Sequence, residues 1–271
     1  MITGGVYAEI RQAHNVILFF VDLIIMKKYL CIYLWVGIVY NQNDISIENL
    51  IFKDGHLFFN DNGNYTTYSG GVYENYKNGS RMYKGRYKDG LKYGKWIFWN
   101  ENGNKISEGY FVDGHREGKW VFFYPNGKRH EEGFFSFHSD TSTWHGRYHS
   151  WFNNGENKSM GRFNYGEKEG LWSEWDLENF KHKGSYLGDI KDSKWEIFDK
   201  TSNKILEKTY DDGLLNGEMK SFFTNGKIEM IIHWHKGKKV SLTFWNYKGE
   251  EIKNKSVNEI PVMKILNSQR K

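Results

Sequence analysis

The sequence predicts an all-β protein: an elongated, twisted, single-layer antiparallel β-meander built from tandem hairpin repeats of about 24 residues. Three observations predict this fold class. The first is the composition, which includes 29 glycines and 18% aromatic residues but alanine only at Ala8 and Ala13. Aromatic and glycine-rich segments are typical of strands joined by tight turns, whereas alanine favours helices. The second is an internal repeat, and the third is a glycine turn inside each repeat.

The repeat is clearest in two stretches that nearly superimpose, GKWIFWNENGNK at 94–105 and GKWVFFYPNGKR at 118–129. Spacings of 24, 28, 24, 23 and 24 residues separate the positions that open successive units, which are Gly94, Gly118, Gly146, Gly170, Ser193 and Gly217. The longest unit has extra residues around 136–144. We also predict an earlier unit opened by Gly71, a weaker unit near Ile51 and a half unit after Ser241. Self-similarity at a fixed period indicates a repeat architecture.

Two kinds of glycine turn punctuate each unit. Nine residues after the opening position, an Asn-Gly pair ends at Gly103, Gly127, Gly155 and Gly226, and Asp-Gly pairs stand at 89–90, 113–114 and 212–213. Asn-Gly between apolar runs favours a two-residue type I′ hairpin turn, in which both central residues have positive φ. Each unit is therefore strand, Asn-Gly turn, strand, Asp-Gly turn. About eight units give roughly sixteen strands, each paired with its sequence neighbours in a sheet long enough to twist.

Large aromatic residues recur at two positions of the unit. Two residues after the opening position stand Trp96, Trp120, Tyr148, Trp172 and Trp195, and five residues after it stand Trp99, Phe123, Trp151, Trp175 and Phe198. The two columns are three residues apart, so either they face opposite sides of the sheet or a bulge intervenes. Their side chains form the core or a platform for a ligand. The candidate binding surface is Trp96, Trp99, Trp120, Phe123, Trp151, Trp172 and Trp175.

The unit resembles the MORN repeat, and in particular the bacterial MORN-variant family labelled the YwqK-type antitoxin component. The resemblance is carried by Gly94-Lys-Trp96, Asn102-Gly103 and Asp113-Gly114 with their counterparts in the next unit, and it covers about residues 51–250. It implies a curved ribbon of β-hairpins that serves as a scaffold for proteins or, in some relatives, for lipid, and it implies no catalysis. The chain departs from the pattern at Asn179, Ser193 and Lys208.

The chain divides into three parts. Residues 1–44 are an apolar N-terminal leader, 45–253 the MORN-like repeat domain and 254–271 a basic tail. The segment MKKYLCIYLWVGIVY at 26–40 resembles a signal peptide, so we expect export or envelope association in a bacterium if Met26 is the true start, and a cytoplasmic protein otherwise. An anchor, or strands at the edge of the repeat domain, are the alternatives for this region. Cys31 is the single cysteine, so no internal disulfide forms.

Charge is concentrated at the C-terminal end. Residues 236–271 hold nine lysines and arginines against three glutamates, whereas the whole chain has a net charge of +5. The repeat body is therefore close to neutral, which argues against nucleic acid as a partner because nucleic-acid grooves need a basic stripe. The basic end could contact an acidic partner or anionic lipid, or it could simply be solvated.

No motif in the sequence indicates catalysis. It contains no Gly-x-Ser-x-Gly, no phosphate-binding glycine loop that leads into a helix and no Cys/His nucleophile pair, so we expect no enzyme, no metal and no cofactor. His138, Asp140, His145 and His149 form the densest polar cluster, but their spacing matches no metal motif, and solvated loop histidines are the simpler interpretation.

Three hypotheses for function follow. The first is a non-enzymatic repeat scaffold that binds a protein partner through an aromatic-lined β surface. The second is a carbohydrate or cell-envelope binding protein, because sugars stack on aromatic faces. The third is association with an anionic membrane through the basic C-terminus.

Overall fold

The computed structural model of the protein describes residues 44–253. The leader predicted for 1–44, apart from Asp44, and the tail predicted for 254–271 lie outside the described residues. Both therefore stay predictions.

Regular structure in the described range is almost entirely β, with one 3₁₀ turn at Ile47–Asn49. The strands are β1 (Ile45–Ser46), β2 (Leu50–Lys53), β3 (His56–Asp61), β4 (Asn64–Thr67), β5 (Gly70–Asn75), β6 (Arg81–Lys88), β7 (Leu91–Trp99), β8 (Lys105–Val112), β9 (His115–Phe123), β10 (Arg129–His138), β11 (Thr141–Trp151), β12 (Asn157–Asn164), β13 (Glu167–Trp175), β14 (Lys181–Leu187), β15 (Ile190–Phe198), β16 (Lys204–Asp211), β17 (Leu214–Phe222), β18 (Ile228–His235), β19 (Lys238–Trp245) and β20 (Glu251–Ile252).

Seventeen of these strands form one open sheet. From β5 to β20 each strand pairs antiparallel with its neighbour in the sequence, and β1 adds to β5 as a short parallel strand. The predicted elongated antiparallel meander is confirmed. Because pairings join sequence neighbours, each hairpin depends mainly on the hairpins beside it, as in other repeat proteins.

The weak unit predicted near Ile51 does not continue this sheet. Strands β2, β3 and β4 instead form a separate three-stranded sheet. It contacts the main sheet at the β6–β7 turn, where Gly90 accepts a hydrogen bond from the Leu57 amide (2.8 Å) and donates one to the Tyr68 carbonyl (2.9 Å). The side chain of Leu57 is fully buried in the same cluster as Trp96. The small sheet therefore covers the end of the core of the first unit.

The first unit of the main sheet opens one residue earlier than predicted. Gly70 lies opposite Tyr87, as Gly94 lies opposite Phe111, so Gly70 rather than Gly71 takes the opening position. The buried side chain two residues later is then Val72, in the place that Trp96 occupies. Two adjacent glycines made the sequence ambiguous, and the strand register resolves it.

The type I′ geometry predicted for the Asn-Gly turns is found at the Asp-Gly turns instead. Only the glycine has positive φ in the Asn-Gly loop, with φ 78° at Gly103. The Gly103 amide donates to the Asn100 carbonyl (2.9 Å), which closes a four-residue turn whose last residue is the left-handed glycine. The Asp-Gly pairs form the two-residue turns with positive φ at both positions, 47° at Asp113 and 85° at Gly114. The Asn-Gly loop is longer because Trp99 pairs with Lys105, which leaves five residues to connect.

The core lies on one face of the sheet, which we call the inner face. Its main constituents are the tryptophans two residues after the opening position, and Trp96 and Trp120 are fully buried. Each ring lies flat over a glycine of the preceding strand, so that a Cβ at Gly85 or Gly109 would overlap the indole. Each indole N–H also donates to a backbone carbonyl of that strand, in Trp120 to Tyr110 at 3.0 Å. Other rings join successive units, because Phe111 meets Trp120 edge-on with centroids 5.1 Å apart.

Cationic side chains lie over the side of each ring that faces away from the sheet and shield it from solvent. The charged group lies over the indole centroid at 4.8 Å for Lys92 on Trp96, 4.7 Å for Arg116 on Trp120 and 4.1 Å for Lys191 on Trp195. Burial lowers the pKa of Lys92, and the charge of Arg116 lowers it further. A single-layer sheet has no second layer to shield its aromatic face. Here the aliphatic stems and cations of these side chains supply that cover.

Hydrogen bonds at the hairpin turns join successive units, at both ends of the strands. At the end with the longer turns, the Tyr76 hydroxyl donates to the Trp99 carbonyl (2.9 Å), and the Tyr124 hydroxyl donates to the Trp151 carbonyl (2.8 Å). At the end with the Asp-Gly turns, the amide of Gly114 donates to the Lys92 carbonyl (2.9 Å). These bonds join residues about one repeat length apart, so the repeat period is also the period of the connections.

We expect Trp120→Ala to lower the free energy of unfolding by about 3–5 kcal/mol, the usual cost of deleting a fully buried aromatic side chain. Phe123→Ala, three residues later and only half-buried, is the matched control and should cost clearly less. Urea denaturation followed by circular dichroism measures both. An equal or larger loss for Phe123→Ala would contradict the assignment of the core to the inner face.

Candidate functional site

The predicted aromatic surface is divided between the two faces of the sheet. Trp96, Trp120 and Trp172 belong to the buried core of the inner face, so their side chains are not available to a partner in this structure. This corrects their place in the candidate surface. The cause is the glycine beneath each ring on the preceding strand, such as Gly85 beneath Trp96, which lets the indole lie against backbone. The other members, Trp99, Phe123, Trp151 and Trp175, are half-buried.

These four side chains lie on the opposite side of the sheet, which we call the outer face. Trp96 and Phe98 stack on the inner face with centroids 5.8 Å apart, so the next residue, Trp99, points the other way. Both faces therefore carry aromatic columns. Outer-face rings are flanked by cations or histidine: Lys105 lies 5.5 Å from the Phe123 centroid, Lys181 lies 5.3 Å from the Trp175 centroid, and His149 lies 3.9 Å from the Trp151 centroid.

A lysine–glutamate ion pair recurs on the outer face beside the aromatic column. The lysine follows the opening position by one residue, and the glutamate is on the next strand. The Nζ–Oε distances are 3.2 Å for Lys95–Glu108, 3.5 Å for Lys119–Glu132 and 3.0 Å for Lys194–Glu207. A second cation reaches each glutamate, as Lys204 reaches Glu207 at 2.9 Å. Burial alone would raise the pKa of Glu207, but its bonds to Lys204 and Lys194 lower it below the usual value.

The ion pair is present in the units opened by Gly94, Gly118 and Ser193 and missing from the others, which include two neighbouring middle units. In the register of the sheet, Met160 and Lys183 of these two units occupy the positions that Glu108, Glu132 and Glu207 occupy in the units that have the pair. In the unit opened by Gly146, the residue after the opening position is Arg147, which lies directly across from a second arginine, Arg162. Among the described residues no carboxylate lies within 4.0 Å of Arg147, Arg162 or Lys183.

A cleft of about 620 Å³ lies at this place on the outer face. Its charged lining consists of four cations and a single carboxylate, which are Lys119, Arg147, Arg162, Lys183 and Glu132. Its apolar lining includes Phe134, Met160 and Leu171, which are 43%, 38% and 68% exposed. We call this the basic cleft. A second cleft of about 570 Å³ shares Lys183 with it and includes Trp175 and Phe198 of the aromatic column.

The inner face holds a polar cluster that sequence reasoning missed. The Tyr148 hydroxyl donates to Glu131 at 2.6 Å, and Glu174 accepts from Lys168 at 2.5 Å and from Tyr186 at 3.1 Å. Burial raises the pKa of Tyr148, and its bond to Glu131 raises it further, so the phenol stays protonated at neutral pH. These groups satisfy one another between the apolar clusters of the sheet. The sequence does not show that these tyrosines and glutamates are neighbours, because their proximity depends on the strand register.

The structure brings together only part of the polar cluster noted around the long loop. His138 and His145 pack on the ring of Tyr165, with centroids 4.4 and 4.3 Å apart, while His149 packs on Trp151. Between residues 44 and 253 the structure contains no group of three or more His, Cys, Asp or Glu residues that could hold a metal ion. Within that same range, no helix has the length and apolar character needed to cross a membrane.

The fold and its two aromatic faces define an open β-hairpin repeat protein. The family model of the MORN repeat variant matches residues 92–113, 116–136 and 215–236. The chain therefore carries MORN-variant repeats at these three places. Comparison with curated proteins found no match to the chain.

We expect Glu207→Gln to lower the free energy of unfolding at pH 7 by about 1–3 kcal/mol, because Lys194 and Lys204 lose a charged hydrogen-bond partner. The folded pKa of Glu207 lies below the unfolded value, so its stabilisation is complete above pH 4.5 or so and disappears as the pH falls through the folded pKa. The difference between the two proteins should therefore shrink towards pH 3. Urea denaturation at both pH values measures it.

Glu101→Gln, at an exposed turn position, is the control and should change little at either pH. A Glu207→Gln difference that stays constant from pH 7 to pH 3 would contradict the role of the charged pair.

Proposed function

We propose that this protein is a non-enzymatic repeat scaffold that binds a protein partner on its outer face. The observation that supports this most directly is the difference between the two faces. The inner face is filled by its own tryptophans and the cations over them. The outer face presents half-buried rings at Trp99, Phe123, Trp151 and Trp175, and it also carries two clefts, one of which Trp175 lines. Aromatic side chains next to concave, cationic surface are typical of protein-binding sites.

The state of the ionisable groups supports a role without catalysis. The inner-face carboxylates and phenols are bonded to each other, as Tyr148 is to Glu131 and Tyr186 to Glu174. Their surroundings raise the pKa of both phenols above the usual value, which moves them away from proton transfer at neutral pH. MORN repeats at three places in the chain fit a scaffold as well.

Two other partners compete with a protein. Carbohydrate binding needs exposed aromatic faces, and the outer rings offer these only in part, because Lys105 and Lys181 lie near Phe123 and Trp175. Association with an anionic membrane would use the basic tail at 254–271, which lies outside the described residues. We propose export or envelope association if synthesis begins at Met26, and a cytoplasmic protein otherwise.

Affinity capture of partners by the full-length chain from cells that express it tests the proposal. We expect Trp151→Ser together with Trp175→Ser to lose the captured partner, because both half-buried rings are removed from the outer face. Tyr65→Ser together with Tyr247→Ser is the matched control, since these exposed tyrosines lie away from the aromatic column. It should capture the partner as the unchanged protein does, and quantitative mass spectrometry compares the three.

Circular dichroism first establishes that both double variants are folded. Capture that survives loss of Trp151 and Trp175 would rule out the outer aromatic column as the binding site. Retention on a glycan array or on sedimented peptidoglycan, with no protein captured, would favour the carbohydrate alternative.

A further inference from the structure

We propose that the basic cleft receives an acidic segment of the partner protein, in which glutamate or aspartate residues alternate with apolar ones. The inference rests on the proposed function and names the chemistry of the partner. Its central element is the pair of arginines, Arg147 and Arg162, that face one another across β11 and β12.

The position of the two arginines is unfavourable for the free protein. They are directly opposite in the antiparallel ladder, where side chains of one face come within contact distance, and like charges at such positions destabilise a sheet. In the other units the residue opposite the first cation is uncharged, as Tyr110 is opposite Lys95 and Thr209 opposite Lys194. A bound carboxylate would turn this repulsion into two charge-assisted hydrogen bonds.

The loss of the recurring glutamate points to the same place. Every lysine of the repeating ion pair is neutralised within the sheet, by Glu108, Glu132 or Glu207. At Met160 and Lys183 that internal carboxylate is replaced, and the described residues supply no other within 4.0 Å of Arg147, Arg162 or Lys183. The single carboxylate of the cleft, Glu132, is already paired with Lys119, so the cleft holds no carboxylate for its other three cations.

Apolar side chains between the cations favour a protein segment. Phe134, Met160 and Leu171 are substantially exposed, and they line the same cleft as the two arginines. A simple anion would leave them in water, whereas a peptide with apolar residues beside its carboxylates would cover them. The exposed cations and these apolar side chains line one concave cleft, which a protein segment can follow and a flat membrane surface cannot. An acidic segment of a protein is therefore favoured over a lipid surface.

The test uses the full-length protein and a short fluorescein-labelled peptide that alternates Glu with Leu, separated by Gly-Ser. Fluorescence anisotropy measures its affinity, and a matched peptide with Gln in place of every Glu shows the contribution of charge. We expect the acidic peptide to bind, the Gln peptide to bind at least about tenfold more weakly, and added salt to weaken binding of the acidic peptide.

Arg147→Gln together with Arg162→Gln should weaken binding of the acidic peptide by about tenfold or more. Lys95→Gln together with Lys194→Gln is the matched control, because these lysines hold the same position in their units but are already paired with glutamates. It removes the same charge and should leave affinity within about twofold. The arginine double variant should also unfold at the same temperature as the unchanged protein or higher, since it removes a like-charge pair.

Three outcomes overturn the proposal: no binding of the acidic peptide, equal binding of the Gln peptide, or equal loss in the lysine and arginine variants. Sedimentation with vesicles of phosphatidylcholine and phosphatidylserine that depends on Arg147 and Arg162, without peptide binding, overturns it in favour of a lipid surface. If the peptide fails while capture of the cellular partner still requires Trp151 and Trp175, this inference is wrong and the proposed function stands. If capture does not depend on those tryptophans, the proposed function itself fails.

Discussion

The packing of an indole ring on a glycine backbone is the contact on which the rest of this structure depends. An isolated single-layer sheet leaves both faces in water, so its aromatic side chains must find burial within the sheet itself. Because Gly85 and Gly109 lack a side chain, Trp96 and Trp120 lie flat on the neighbouring strand and donate to its carbonyls. The cations over the rings complete the burial from the solvent side. The unit thus contains its own core, and repetition extends it.

This arrangement separates stability from recognition. The side chains of the inner face form the contacts that hold the hairpins together. Those of the outer face are not needed for these contacts and only have to be compatible with water. Its repeating Lys–Glu pairs, such as Lys95–Glu108, do so at little cost because they neutralise each other near the surface. A unit can lose that pair without losing its core, because the two faces alternate along the strand and are independent in sequence. The middle units, with Arg147 opposite Arg162, are an instance of such a change.

Much of the fold could be predicted from the residues in their order. The repeat period, the strand count and the antiparallel pairing of neighbours follow from glycine turns and aromatic spacing, and the structure agrees with them. The candidate site was predicted less well. Spacing alone indicated that the two aromatic columns could face opposite sides, but not which one the sheet would bury. That depended on whether the neighbouring strand placed a glycine or a side chain beneath each ring.

The order of residues is enough to specify a ribbon of repeated hairpins, because a turn that needs positive φ and a strand that alternates its side chains are local properties. The features that depend on register come from long-range strand pairing. It placed the first opening glycine at Gly70, moved the weak unit near Ile51 into a separate sheet, and gave type I′ geometry to Asp113-Gly114 instead of Asn102-Gly103. It also created the basic cleft. Residues far apart in sequence become neighbours only through strand pairing. Bulges in most of the pairings of the main sheet shift the register by one residue, which changes the partner of every side chain beyond the bulge.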